Sequence, residues 1–296
     1  MKEKFMKLVR RKALSYSVFF VLAFLFFLAV TFPGEVIKNR IIAEIESATP
    51  YKAEIEKASV TPLLNVKLTG VRLYKSKDRF IPIDSLSIRP SLLGVITGSR
   101  KFPFKARMLN GEVEGTVVMS ASRASEIEAT VKNVTIDSIP GLLSSDSGKV
   151  LSLGGVMNGS MDIVLEPQPK GAFQFEIAGL SMKDIKVKGM NLPSFTDLKS
   201  VVKGSIEAKR TNIQELSVTG KDIDLEITGT TPLLWEIPKG GLIDLGYRLE
   251  IKGQQMAKYK NLLTPYLATQ RDGSLGGKIL GTIKNPRFEK GTIGRF

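Results

Sequence analysis

From Ala13 to Phe32 the chain runs for twenty residues, ALSYSVFFVLAFLFFLAVTF, without a charged side chain. At about 1.5 Å of rise per residue, a helix of that length crosses a hydrocarbon core of about 30 Å. The segment is therefore expected to be a transmembrane anchor, with Leu14, Phe19, Phe20, Leu25, Phe26, Phe27 and Leu28 supplying much of its lipid-facing bulk. A cleaved signal peptide has a shorter apolar region, about 7–15 residues, and ends at a small-x-small site. Here Ala29-Val30-Thr31 is a poor cleavage site, so an uncleaved helix is expected.

Orientation follows from the flanks, because Lys and Arg beside a membrane helix keep to the cytoplasmic side. Lys2, Lys4, Lys7, Arg10, Arg11 and Lys12 stand against Glu3 alone, whereas Pro33 to Glu46 mixes Glu35, Glu44 and Glu46 with Lys38 and Arg40. Residues 1–12 read as a cytoplasmic basic tail, 13–32 as a single-pass helix, and the remainder as placed across the membrane; in a diderm bacterium that is an inner-membrane anchor with a periplasmic domain.

The net charge of +14 could suggest nucleic acid, but residues 1–12 account for +5 and the other +9 is spread over 284 positions. The chain has no Lys/Arg-rich run interleaved with aromatics and no helix–turn–helix signature, so no nucleic-acid partner is expected. It also has no cysteine and no histidine. Their absence removes thiol nucleophiles, Cys- and His-based metal sites, the usual neutral-pH base and His-dependent triads.

Beyond the anchor, Pro33 and Gly34 break the pattern, and residues 33–50 read as an amphipathic helical linker. Its helix is expected from Glu35 to about Ala48, with Val36, Ile37, Ile41 and Ile45 near helical spacing. From Tyr51 the period becomes two: Val66, Leu68, Val71 and Leu73; Leu86 and Ile88; Ile127, Ala129 and Val131; Phe173, Phe175 and Ile177; Ile223, Leu225 and Ile227. Turn-forming clusters such as Asn110-Gly111, Pro140-Gly141, Ser145–Gly148 and Pro238–Gly241 separate these runs. Short helical turns are expected around Ser91–Gly98 and Ile139–Ser144, and a longer helix over Gln254–Leu267. The fold class is mostly β: a transmembrane helix, then a curved, largely antiparallel sheet over residues 51–296 with few short helices. Two sub-repeats, about 51–148 and 149–296, are suggested.

One pattern rises above the alternation. Gly111-Glu-Val-Glu-Gly115-Thr-Val, Gly155-Val-Met-Asn-Gly159-Ser-Met and Gly277-Lys-Ile-Leu-Gly281-Thr-Ile share the form G-x-apolar-x-G-[ST]-apolar. With period two, both glycines and both apolar residues fall on one face of a strand. Glycine inside a strand marks a bend, a bulge or a close approach, and bends in a curved sheet are the favoured reading over contact with a ligand.

Chemistry is sparse. No phosphate loop of either common type occurs. Glu112 with Glu114 and Asp222 with Asp224 alternate as a solvated strand face does, and Ser181/Lys183 and Ser200/Lys203 are chance pairs in a chain rich in both. Phe102, Phe104, Phe173 and Phe175 are accounted for by strand packing. Trp235, between Pro232 and Pro238, is a candidate interface residue. No catalytic, cofactor-binding or metal-ligating residue is assigned, and a non-enzymatic protein without cofactors is expected.

Taken together, the basic start, the helix ending Phe32-Pro33-Gly34-Glu35-Val36, the amphipathic helix and the strand pair around Leu68–Leu73 resemble the N protein of bacterial type II secretion systems (GspN). SLLGVITGSRKFPFKARMLNGEVEGTVVMS (Ser91–Ser120) and Gly273–Phe288 are similar to that family's loop with Gly-rich strand and its closing strand. The resemblance implies an inner-membrane component that assists the type II secretion apparatus, with other secretion proteins as partners. The glycine pattern and Asn285-Pro286-Arg287 also resemble AsmA-like proteins, which implies the alternative: a periplasmic lipid-binding or lipid-transfer module with phospholipid in an apolar groove. A continuous apolar face along the sheet would favour that alternative, and a closed, filled sandwich would count against it.

Overall fold

In a computed structural model of the chain, the residues described are 16, 19–20, 23, 27, 34–48, 51–61, 65–76, 79–89, 100–120, 123–136, 152–184, 186–187, 190–191, 193–233, 241–253, 259–260, 264, 267–282 and 285–290. They comprise one helix with defined bounds, α1 (Gly34–Ala48), and seventeen strands. The first half holds β1 (Lys52–Val60), β2 (Val66–Ser76), β3 (Arg79–Ile88), β4 (Lys101–Met108), β5 (Gly111–Ser120), β6 (Arg123–Thr135), β7 (Ser152–Val164) and β8 (Lys170–Lys183). The short β9 (Lys186–Val187) and β10 (Met190–Asn191) follow, then β11 (Phe195–Glu207), β12 (Arg210–Thr219), β13 (Ile223–Pro232), β14 (Leu242–Ile251), β15 (Ala268–Thr269), β16 (Leu275–Thr282) and β17 (Pro286–Lys290).

Fifteen strands form one open antiparallel sheet in the order β1-β2-β3-β4-β5-β6-β7-β8-β11-β12-β13-β14-β16-β15, with β17 also on β16. β9 and β10 pair separately as a hairpin. The topology is a meander: almost every strand pairs with its chain neighbour, as expected where turn residues recur at short intervals. The five alternating runs read from the sequence fall in β2, β3, β6, β8 and β13. β6 pairs β7, so the sheet is continuous on either side of residue 148.

Two hairpins are closed by two-residue loops in which both residues have positive φ: Leu109 (51°) and Asn110 (61°), and Ala208 (42°) and Lys209 (78°). Positive φ at both loop positions matches the right-handed twist of the flanking strands. Leu109 offsets its unfavourable backbone by burying its side chain beside Val131 and Val134.

α1 starts one residue before the expected Glu35 and ends at Ala48. Glu35 occupies its first turn, where a negative charge complements the helix dipole, and pairs with Lys38 at 2.8 Å. Its buried side, Ile37, Ile41 and Ile42, packs with Ile55, Ala58, Leu68 and Val71 of β1 and β2. α1 also covers the free edge of β1. Gly34 lies against the Ala58 carbonyl so closely that a Cβ would collide with it, and the Ala53 amide donates to the Glu46 carboxylate at 3.2 Å. A helix over an edge strand removes a template for unwanted pairing.

The segments expected as turns at Ser91–Gly98 and Ile139–Ser144 lie outside the described residues. Of the helix expected over Gln254–Leu267, Tyr259, Lys260, Thr264 and Leu267 are described: Tyr259 and Lys260 are helical, Thr264 is in a turn and Leu267 is at a bend directly before β15.

Candidate functional site

Partners in an antiparallel sheet project to the same face, so register determines which side chains meet. Following partners from β1 gives Val60, Val66, Ile88, Phe104 and Gly115. The same row continues through Ala129, Met161, Phe173 and Gly204 on β6, β7, β8 and β11. It ends with Ile213, Gly229, Leu245, Ile279 and Phe288. The row touches every strand of the sheet except β15, and every member is apolar or glycine.

A second row runs beside it. Ala58, Leu68, Leu86, Ala106, Val113 and Val131 lead from β1 to β6. Gly159, Phe175, Val202, Leu216, Ile227, Tyr247 and Gly277 carry it to β16. The opposite face reads differently: Ser59, Lys67, Ser87, Lys105 and Glu114, then Thr130, Ser160, Gln174, Lys203 and Glu215. One side of the sheet is a polar ladder and the other an apolar one.

The polar ladder neutralises itself. Lys105 pairs with Glu112 and Lys132 with Glu114, while Lys203 and Glu215 meet at 2.9 Å. The hydrogen bond from Lys132 holds the Glu114 carboxyl below its ordinary range, and the bond from Lys203 does the same for Glu215. Two depressions, about 420 and 390 Å³, are lined in part by this ladder, the first by Lys105 and Glu114, the second by Gln174 and Lys203. Among the described residues no group of three or more acidic side chains is placed to hold a metal ion.

On the apolar face Ala129 is 1% exposed and Ile206 is fully buried. Yet among the described residues the extensive contacts between elements are those of paired strands and of α1 with β1. Much of the face is half-buried, including Phe104, Val113, Val117, Met161 and Val202, and Phe288 at the β17 end is 63% exposed. Register shifts between Val131 and Val134, Gly154 and Val156, and Ile213 and Leu216 add bulges, which bend strands and increase their twist.

The six motif glycines lie in three strands: Gly111 and Gly115 in β5, Gly155 and Gly159 in β7, Gly277 and Gly281 in β16. In each strand one of them faces an aromatic side chain across the ladder: Gly115 faces Phe104, Gly159 faces Phe175 and Gly277 faces Tyr247. The neighbouring chain comes close at these points. A Cβ on Gly115 would collide with the Glu128 carbonyl, and one on Gly277 would stand 2.9 Å from the Tyr247 hydroxyl. Burial raises the Tyr247 pKa above its ordinary value of 10.0, so the phenol stays neutral. A fourth pair, Phe173 with Gly204, was not part of the motif. Gly204-Ser205-Ile206 does carry its second half, G-[ST]-apolar, and that was the available signal.

Of the anchor residues, Phe19, Phe20 and Phe27 are described; they are helical and 71, 71 and 66% exposed. Leu14, Leu25, Phe26 and Leu28 lie outside the described residues, as does Trp235. Among the described residues no helix is long and apolar enough to cross a membrane. Compared with models of known families, with curated proteins and with solved structures, the chain matches none.

Proposed function

We propose that the chain is a non-enzymatic, membrane-anchored module that shelters lipid acyl chains along the apolar face of its sheet. The carrying observation is the unbroken apolar row from Val60 on β1 to Phe288 on β17, backed by the parallel row from Ala58 to Gly277. Burial of Ala129 and Ile206 with no second layer among the described residues is accounted for if the sheet curls around that face into an AsmA-like groove. With strands about 4.8 Å apart, the row is on the order of 60 Å long. An acyl chain laid on half-buried Phe104, Val113 and Met161 would remove apolar surface on both partners from water, at about 25 cal/mol per Å².

The anchor reading rests on the uncharged run from Ala13 to Phe32 and its basic flank. Tyr16, Phe19, Phe20, Ala23 and Phe27, the described residues of that run, are helical and exposed, which suits contact with lipid. Such an anchor in a bacterial inner membrane would put the sheet in the periplasm. Because Gly34 is pinned to Ala58 directly after the run, the β1 end of the groove would begin at the membrane surface. Phospholipid is the proposed ligand, and the inner membrane its source.

A second reading, a component of the type II secretion apparatus, draws on one different observation. Among the described residues β17 pairs with β16 alone, and its five residues are exposed. A strand from another envelope protein could extend the sheet there. Retention of a type II substrate in the periplasm of a deletion strain, restored by complementation, is the result that reading requires.

The lipid reading is tested by extracting full-length protein, purified in detergent, with organic solvent and measuring phospholipid by mass spectrometry. An unrelated single-pass protein sets the background. Phospholipid well above that background, reduced in Val113→Asp, is expected; a level equal to background would contradict the proposal.

A further inference from the structure

A third row on the same face departs from the other two. It runs Phe102, Val117, Ile127 and Ile163, then Gly171 and Ile206, and finishes on Thr211 and Thr231. Thr211 is completely buried, and its hydroxyl has no hydrogen-bond partner among the described residues. Thr231 differs, because its hydroxyl donates to the Pro232 carbonyl at 3.0 Å. A buried hydroxyl without a partner is destabilising, whereas valine has nearly the same shape and no such cost. Packing therefore gives no reason for threonine at 211.

Resting on the acyl-chain reading above, we propose that the Thr211 hydroxyl is a polar subsite in the groove that donates a hydrogen bond to the ester carbonyl of a glycerol-linked acyl lipid. The surroundings select that chemistry. Thr211 pairs with Ile206 and lies two residues from Ile213, both members of an apolar cluster with Ile163, Phe173 and Leu233, while the charged pair at the next ladder position, Glu207 and Arg210, is exposed. A phosphate or carboxylate there would be stripped of water with no cation to compensate, which is far more costly than burying a neutral carbonyl. The ester carbonyl is the one neutral acceptor that travels at the head of every acyl chain in such a lipid. Leu233, two residues past Thr231 and 2% exposed, belongs to the same cluster. A chain entering between these side chains takes the place of their mutual contacts and reaches the hydroxyl from the apolar side.

The test uses full-length protein in detergent, stripped of lipid, and a pair of phospholipids identical in headgroup and chain length but ester-linked in one and ether-linked in the other. Each competes against a fluorescent phospholipid. One neutral hydrogen bond corresponds to a preference of about fivefold for the ester lipid. Thr211→Val is expected to bind both lipids as the wild type binds the ether lipid, and Thr211→Ser to restore the preference. Thr211→Val should also unfold at no lower urea concentration than the wild type, since it removes an unpartnered hydroxyl. Equal binding of the two lipids by the wild type, or a preference that survives in Thr211→Val, would overturn the subsite and leave the groove standing. Binding of neither lipid would overturn the groove itself.

Discussion

The ring of Phe173 on β8 lies over Gly204 on β11, its Cζ 2.5 Å from the point that a Cβ on residue 204 would occupy. Cross-strand partners in the middle of the sheet, the two let β8 and β11 approach with an aromatic ring covering the missing side chain. Phe104 with Gly115, Phe175 with Gly159 and Tyr247 with Gly277 repeat the pairing on other strands. An aromatic over a strand glycine pins register and fills the surface that glycine leaves bare.

Gly204→Ala should therefore destabilise the protein by overpacking, at about 1–3 kcal/mol. Its Cβ would meet the Phe173 ring and, at 2.7 Å, the Asn212 carbonyl. The urea midpoint of full-length protein in detergent is the measurement. Phe173→Leu in the same chain should recover part of the loss, because it removes the ring; the backbone carbonyl remains.

The amide of Ala53 on the edge strand β1 finds its acceptor on α1, in the Glu46 carboxylate. Glu46→Ala should leave that amide to water and speed its hydrogen exchange several-fold, in keeping with a net hydrogen-bond contribution of about 1 kcal/mol. Amides of the same strand that pair with β2 should change little. Equal protection at Ala53 in both proteins would mean that α1 does not cover the edge through Glu46.

Stability should fall on acidification, and the sign can be worked out at Asp272. Its carboxylate accepts from the Ser274 hydroxyl at 2.6 Å and the Ser274 amide at 2.9 Å, and it also pairs with Arg248 at 2.6 Å. The Ser274 hydrogen bonds, followed by Arg248, hold its pKa below the ordinary 3.8. A depressed folded-state value contributes stability that is present above 3.8 and lost as pH falls through the lower folded value. Glu114 and Glu215, depressed by Lys132 and Lys203, act in the same direction from 4.5 downward. Asp272→Asn should lower the urea midpoint at neutral pH and shrink the further drop between neutral and about pH 3.

How much of this was legible in the sequence differs by level. The helix over Glu35–Ala48 and the five alternating runs were readable because side-chain period is a local property; each lies in α1 or a strand. The hairpin signal at Asn110-Gly111 was off by one residue: the loop is Leu109-Asn110 and Gly111 opens β5. A leucine tolerates positive φ there because its side chain is buried, a tertiary effect that local composition does not carry. The glycine motif was visible, but its aromatic partners Phe104, Phe175 and Tyr247 sit on other strands and become partners only through register. The spacing of Phe173 and Phe175 marks them as packing residues and carries no sign that each faces a glycine. Thr211 was invisible for the same reason. In the sequence it is a threonine in a polar stretch, RTNIQ, and only pairing with Ile206 and Thr231 sets it on the apolar face.

Whether acyl chains lie on the apolar face of the sheet is decided by photocrosslinking in cells. A benzophenone amino acid is placed at Phe104, on the apolar row, or at its chain neighbour Lys105, on the polar ladder. After irradiation, full-length protein is purified and its mass measured. A phospholipid adduct is expected at position 104 and none at position 105. Adducts at both positions alike, or at neither, would contradict the lipid reading.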